Sequence, residues 1–133
     1  MVKKIFTVLF RIFIALFLIF GGVQHFMNME FYLPFVPAFL PFKPFVIYAS
    51  GVLEIIIGIG LLIPKTKQFS AWAYLLLMLS FLPVHVADLF TETPAMGTHS
   101  AAIIRLFVQF LLIALGIYFV RFATSTTPAN NEN

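Results

Sequence analysis

Apolar residues in this chain fall into four nearly unbroken blocks, with neither the alternation of a half-buried strand nor the narrow stripe of a surface helix. They run from about Ile5 to Phe26, Phe45 to Ile63, Phe69 to Leu89 and Ala101 to Phe122. Each block holds roughly 19–22 residues, which as an α-helix covers about 30 Å, the thickness of a bilayer's hydrocarbon core. A membrane barrel is a poor alternative, because polar and apolar residues do not alternate and a single-chain barrel needs about eight strands. The pattern predicts an all-α fold, a four-transmembrane-helix bundle forming one domain over residues 1–123. The remaining residues, 124–133, are polar, include Pro128 and have nothing to bury, so a disordered tail is expected there.

Between the first and second blocks the chain changes character. Residues 26–44 carry Pro34, Pro37, Pro41 and Pro44 among many phenylalanines and Tyr32. The prolines forbid one continuous helix, and the aromatic content is too high for a solvated loop. A Pro/Phe-rich interfacial segment satisfies both constraints: one or two short helices with their rings at headgroup level, packed as a lid over the bundle. The turn from Ile63 to Gln68 is short, so the second and third helices must be antiparallel neighbours.

Composition strengthens the membrane reading. Of 133 residues, 62% are hydrophobic and only 10% charged, and the mean hydropathy is +1.05. A soluble domain would draw on charged residues for roughly a quarter of its length, so this chain's outer surface is suited to lipid. There is no cysteine, which removes disulfides, thiolate metal sites and thiol redox chemistry. The net charge of +3 is small and scattered, so no nucleic-acid partner is expected; the expected partner is the bilayer itself. Lys3 and Lys4 precede the first block, whose apolar run is longer than a signal peptide's and lacks a convincing small-residue cleavage site, so it is expected to be retained. Lys65, Lys67 and Arg121 fall on the same side as Lys3 and Lys4, whereas the other side has Lys43 with Glu30, Asp88, Glu92 and His99. The positive-inside rule then places both termini in the cytoplasm.

A charged residue inside a span costs roughly 2.5–3.5 kcal/mol on insertion scales, so each needs a reason. Glu54 lies near the middle of the second block, where its carboxyl must be protonated, paired or in a wet cavity. Arg105 lies one turn into the fourth block with Gln109 on the same face. Its partner is either Glu54, across a gap that two long side chains would have to close, or Asp88 nearer the surface. His85 and Asp88 share a face of the third block, and Gln24 and His25 end the first. With antiparallel helices, Gln24, His25, Glu54, His85, Asp88, Arg105 and Gln109 all fall in the outer half, which predicts a polar pocket beneath the lid. Their spacing fits no metal-ligand motif, so no metal is expected. Arg11, in the inner half of the first block, is placed to extend toward cytoplasmic headgroups. Gly51, Gly58 and Gly60 read as sites of close helix approach, and Trp72 as an interfacial anchor.

The order of these features resembles the DoxX family of small bacterial membrane proteins, especially its DoxX-like branch. The resemblance is carried by Gly21-Gly22-Val23-Gln24-His25-Phe26, Phe31-Tyr32, and Tyr48-Ala49-Ser50-Gly51-Val52-Leu53-Glu54. It continues through Gly58-Ile59-Gly60-Leu61-Leu62-Ile63-Pro64-Lys65-Thr66-Lys67, Ala71-Trp72, Phe81-Leu82-Pro83 and Arg105-Leu106 with Gln109. The chain departs from the pattern at His85, where many relatives carry asparagine, and at Asn28-Met29, which lacks a common proline. The resemblance implies a four-helix protein of the bacterial cytoplasmic (inner) membrane, in a family named for a link to quinone-dependent thiosulfate oxidation.

No nucleotide-binding loop, dinucleotide fingerprint, nucleophile elbow or His-x-x-x-His pair occurs, and no extramembrane domain is evident. A complete enzyme is therefore not expected. Two functions stay open: a non-catalytic scaffold or assembly partner in the membrane, and a membrane subunit of a quinone-linked redox complex. In the second, Arg105, His25 or His85 would donate to a quinone carbonyl and Glu54 would exchange protons. The lysine asymmetry generates a direct test, made easy by the lack of native cysteine. In intact cells, Thr66→Cys should be shielded from a membrane-impermeant maleimide and Thr98→Cys should react; the opposite labelling would invert the topology.

Overall fold

The computed structural model describes residues 1–123; the expected disordered tail at 124–133 lies outside the described residues. The chain forms α1 (Val2–Met27), α2 (Met29–Tyr32), a 3-10 turn (Leu33–Phe35), α3 (Lys43–Leu62), α4 (Lys67–Phe90) and α5 (His99–Tyr118), which runs into a π turn (Phe119–Ala123). No strand occurs among the described residues. α1, α3, α4 and α5 (with its π turn) are each long and apolar enough to cross a membrane, and they occupy the four blocks read from sequence. The fold is all-α.

Local chemistry explains where the helices stop. α1 ends at Asn28, whose N–H caps the Gln24 carbonyl at 2.8 Å while its side-chain amide donates to the Gln24 side chain at 2.5 Å. α3 begins with Pro44 in its first turn, where a missing N–H costs nothing. The residue before α3, Phe42, has φ of 54°, a left-handed conformation that a bulky side chain adopts only under constraint. α5 is capped by the Thr98 hydroxyl, which accepts from the Ala101 N–H at 3.1 Å. Pro83 lies inside α4 and cannot donate to the carbonyl one turn before it.

The bundle is built from two antiparallel pairs. α1 packs along α3, α5 along α4, and α3 joins the pairs by packing on α4; α1 also meets the π turn that follows α5. At that end the Thr7 hydroxyl and the Tyr118 hydroxyl are 2.8 Å apart. The apolar core lies in the half of the bundle near the α3–α4 turn, around Ile14, Leu18, Leu61, Tyr74, Leu77 and Phe119. The outward-facing sides of the four helices expose Phe13, Phe20, Ile56, Leu76 and Phe107, the inverse of a soluble bundle and suited to lipid tails. The Pro/Phe-rich segment folds back over the opposite half as α2 and the 3-10 turn. There Val36 is buried, Tyr32 and Phe35 are half-buried, and Phe31, Phe39 and Phe42 are exposed.

α1 and α3 approach to backbone contact. A Cβ placed on Gly22 would stand 2.5 Å from the Gly51 carbonyl oxygen, and one on Gly58 would stand 2.8 Å from the Ala15 carbonyl oxygen. In lipid, where water drives no helix together, this close fit is a main source of association. Gly60 faces the other way, and a methyl there would collide with the Ser70 hydroxyl of α4. Gly22→Val and Gly58→Val should each cost about 2 kcal/mol or more in detergent unfolding, because carbonyl backbone cannot yield as a side chain can. Ile56→Val, on the exposed face, should stay within about 0.5 kcal/mol of the wild type. Equal effects at the three positions would refute the backbone contact.

Candidate functional site

The polar residues of the half opposite the apolar core assemble into two groups, one on each helix pair. In the first, α1 presents His25 and α3 presents Ile47, Ser50 and Glu54. His25 Nδ1 is 3.1 Å from the Ile47 carbonyl oxygen and 3.0 Å from the Ser50 hydroxyl, which itself donates to that carbonyl at 2.9 Å. A carbonyl only accepts, so the tautomer that makes this hydrogen bond carries its proton on Nδ1 and leaves Nε2 with its lone pair in the neutral ring. Nε2 faces Glu54 Oε1 at 3.8 Å, with only 12% and 9% of the two side chains exposed. That distance brings the groups together without a hydrogen bond. The other carboxyl oxygen lies against Gly21, where a Cβ would be 3.0 Å away.

The lid roofs this group. The Tyr32 ring meets the His25 ring edge-on at 4.2 Å between centroids, and it continues into Phe31 at 5.2 Å and Phe35 at 6.1 Å. Burial, and next the negative charge of Glu54 when ionised, both push the Tyr32 phenol above its ordinary range. Beside the lid, the Phe26 and Tyr48 rings stack at 5.2 Å.

The second group belongs to α4 and α5. Arg105 Nη1 donates to Asp88 Oδ2 at 2.7 Å, and the other Asp88 oxygen accepts the Ala95 N–H at 2.8 Å. The guanidinium also lies over the Phe35 ring, 4.2 Å from its centroid. Arg105 thus holds α4, α5, the α4–α5 loop and the lid together. Further in, Gln109 donates to the Met78 carbonyl at 2.6 Å and Tyr74 donates to the Leu112 carbonyl at 2.9 Å. Each helix sends one side chain to the other's backbone.

Of the two partners open to Arg105 from sequence, the structure selects Asp88. Arg105 points from α5 to α4, whereas Glu54 points from α3 to α1, so the two do not pair. His85 lies within electrostatic reach of Arg105 and Asp88, yet its buried Nδ1 has no hydrogen-bond partner. Gln24 turns to Asn28 at the exposed end of α1 and does not join either group. The buried Nε of Arg11 also has no partner. Among the described residues no three His, Asp or Glu side chains converge as metal ligands would. A cavity of about 420 Å³ is lined by residues 26–31, from Phe26 to Phe31; it sits at the α1–α2 bend rather than at Glu54.

Sequence reading did not single out Ser50, Tyr32, Phe35 or Gly21 for the site. Ser50 was within sight, because it precedes Glu54 by one helical turn and so shares its face. The roles of Tyr32 and Phe35 depend on how the proline-rich segment folds back, for which the sequence carries no periodic signal.

Residues 14–120 match the family described as Domain of unknown function (DUF8561), and the chain belongs to that family. No curated protein and no solved structure matches it.

The hydrogen bond to Ile47 makes the tautomer of His25 measurable. In the 15N NMR spectrum of the labelled protein, His25 should show a protonated Nδ1 and a bare Nε2. Ser50→Ala should leave that tautomer in place, because the carbonyl remains as acceptor. A proton found on Nε2 would mean that the ring is oriented by Glu54 instead.

Proposed function

We propose that this member of the DUF8561 family is a non-catalytic scaffold or assembly partner in the membrane. The observation that carries the reading is the use to which Arg105 and Asp88 are put. Both carboxylate oxygens are occupied, the guanidinium is split between the carboxylate and Phe35, and four segments of chain meet at the pair. Gln109 and Tyr74 are likewise occupied by backbone carbonyls. Polar residues that would otherwise be costly in a span are here joining helices. Kinship with the DoxX family, supported by the residue runs quoted above, belongs to this reading. So does placement in a bacterial cytoplasmic membrane with both ends of this chain on the cytoplasmic side, supported by Lys3, Lys4, Lys65, Lys67 and Arg121.

A second reading is a subunit of a redox complex that binds a quinone. A quinone carbonyl needs donors, and two of the three candidates are engaged: His25 donates to Ile47 and Arg105 to Asp88. The unpartnered Nδ1 of His85, beside Arg105, is the observation that favours it.

Arg105→Gln and Asp88→Asn should each lower stability in detergent by about 3 kcal/mol, since each strands a largely buried charge, and the double variant should lose less than the sum. In native electrophoresis of gently solubilised membranes, the wild-type chain should run in an assembly with other polypeptides, and Arg105→Gln should deplete that assembly. Migration as the lone chain would overturn the scaffold reading. Loss of a co-purifying quinone in His85→Leu, with stability unchanged, would favour the second.

A further inference from the structure

The Glu54 carboxyl has an environment that the scaffold reading does not use. Its side chain is only 9% exposed; His25 Nε2 stands 3.8 Å from Oε1, and the Tyr32 phenol lies within its electrostatic reach. A carboxylate has about four acceptor sites, and a buried one is normally satisfied by donors. Among the described residues no hydrogen bond reaches either Glu54 oxygen. In the tautomer that donates from Nδ1 to the Ile47 carbonyl, neutral His25 supplies none, and Nε2 also presents a lone pair. Were Nε2 protonated, a cation and an anion would face each other at 3.8 Å without the hydrogen bond that repays their burial. With Glu54 ionised and His25 neutral, the two groups form a pair of acceptors lacking a donor. An atom placed off the line between them can stand about 2.8 Å from both.

The surroundings restrict what that donor can be. Arg105 is neutralised by Asp88, so among the described residues no lysine or arginine pairs with the buried Glu54. The carboxyl lies against Gly21, where a Cβ would stand 3.0 Å from Oε2, and Tyr32 covers His25 with an aromatic ring. Aromatic faces attract cations, and a desolvated carboxylate attracts them far more strongly than it attracts a neutral hydroxyl. Ile47 and Ile57 on α3 and Gly22 on α1 are buried, and the Ser50 hydroxyl stands on the far side of the imidazole, 3.0 Å from His25 Nδ1. The cover is a single-turn helix between two breaks, Asn28 (φ of −131°, ψ of 46°) and the 3-10 turn at Leu33–Phe35.

We propose that Glu54 and His25 form a binding site for the protonated amino group of a lipophilic amine, with Oε1 and Nε2 each accepting one N–H and Tyr32 closing over the head group. The site goes beyond the scaffold reading and does not depend on it. It also differs from a quinone site, where the ligand accepts hydrogen bonds instead of donating them.

The test uses the full chain in phosphatidylcholine nanodiscs, titrated calorimetrically with dodecylamine against empty nanodiscs. Saturable binding of dodecylamine is expected, weakened at least about tenfold in Glu54→Gln, a change that keeps the side chain's shape. Dodecanol, a donor without charge, and dodecyltrimethylammonium, a charge without a donor, should each bind at least about tenfold more weakly than the amine to the wild-type protein. These two arms need no variant and stand even if Glu54→Gln folds poorly. Heat indistinguishable from partitioning into empty nanodiscs would overturn the site. So would equal affinity in Glu54→Gln, or equal affinity for either comparison compound.

Discussion

Backbone contact between α1 and α3 is the constraint on which the rest of this structure depends. Gly22 against Gly51, and Gly58 against Ala15, bring the two helices so close that no methyl group fits between them. That spacing is what allows a histidine on α1 to reach a main-chain carbonyl on α3. In a soluble helix pair with ordinary side chains at the seam, the helix axes stand about 8–10 Å apart and larger residues fill the gap. Here the same glycines that remove bulk also bring Glu54 up against Gly21.

The two helix pairs solve the problem of buried polarity in different ways. On the α4–α5 side each Asp88 carboxylate oxygen has a donor, and Gln109 and Tyr74 donate hydrogen bonds to the opposite backbone. Among the buried side-chain polar atoms described there, Nδ1 of His85 is the one without a partner. On the α1–α3 side only the imidazole is fixed, and the carboxyl facing it is not. Satisfaction on one side and deficit on the other separates a structural clamp from a candidate binding site. The lid joins the two through neighbouring rings: Tyr32 sits on His25, and Phe35 lies under Arg105.

The apolar core and the polar groups also divide the bundle by depth. Ile14, Leu18, Leu61, Tyr74 and Phe119 fill the half near the α3–α4 turn, where α1 also closes onto the π turn after α5. The other half has Glu54, His25, Arg105 and Asp88 where further apolar packing would otherwise stand, and the proline-rich segment covers them. Phe42, held at positive φ immediately before α3, marks the cost of turning that segment back into a helix.

Amino-acid order alone determined the all-α class and the four spanning helices, because helix length and unbroken hydrophobicity are local quantities matched to a fixed bilayer thickness. It also placed His25, Glu54, His85, Asp88 and Arg105 in one half of the bundle, since antiparallel connection fixes depth. The glycines at Gly51 and Gly58 were legible as points of close approach for the same reason: a missing side chain on one helical stripe has few other uses in a span. Rotation of each helix about its own axis was not legible, and it decides which polar groups meet. Depth permitted Arg105 to reach either Glu54 or Asp88; only packing turned α5 toward α4 and α3 toward α1. The recruitment of Ile47's carbonyl, Ser50, Tyr32 and Phe35 likewise belongs to tertiary structure, because backbone acceptors and a proline-broken segment carry no periodic signal that a sequence can show.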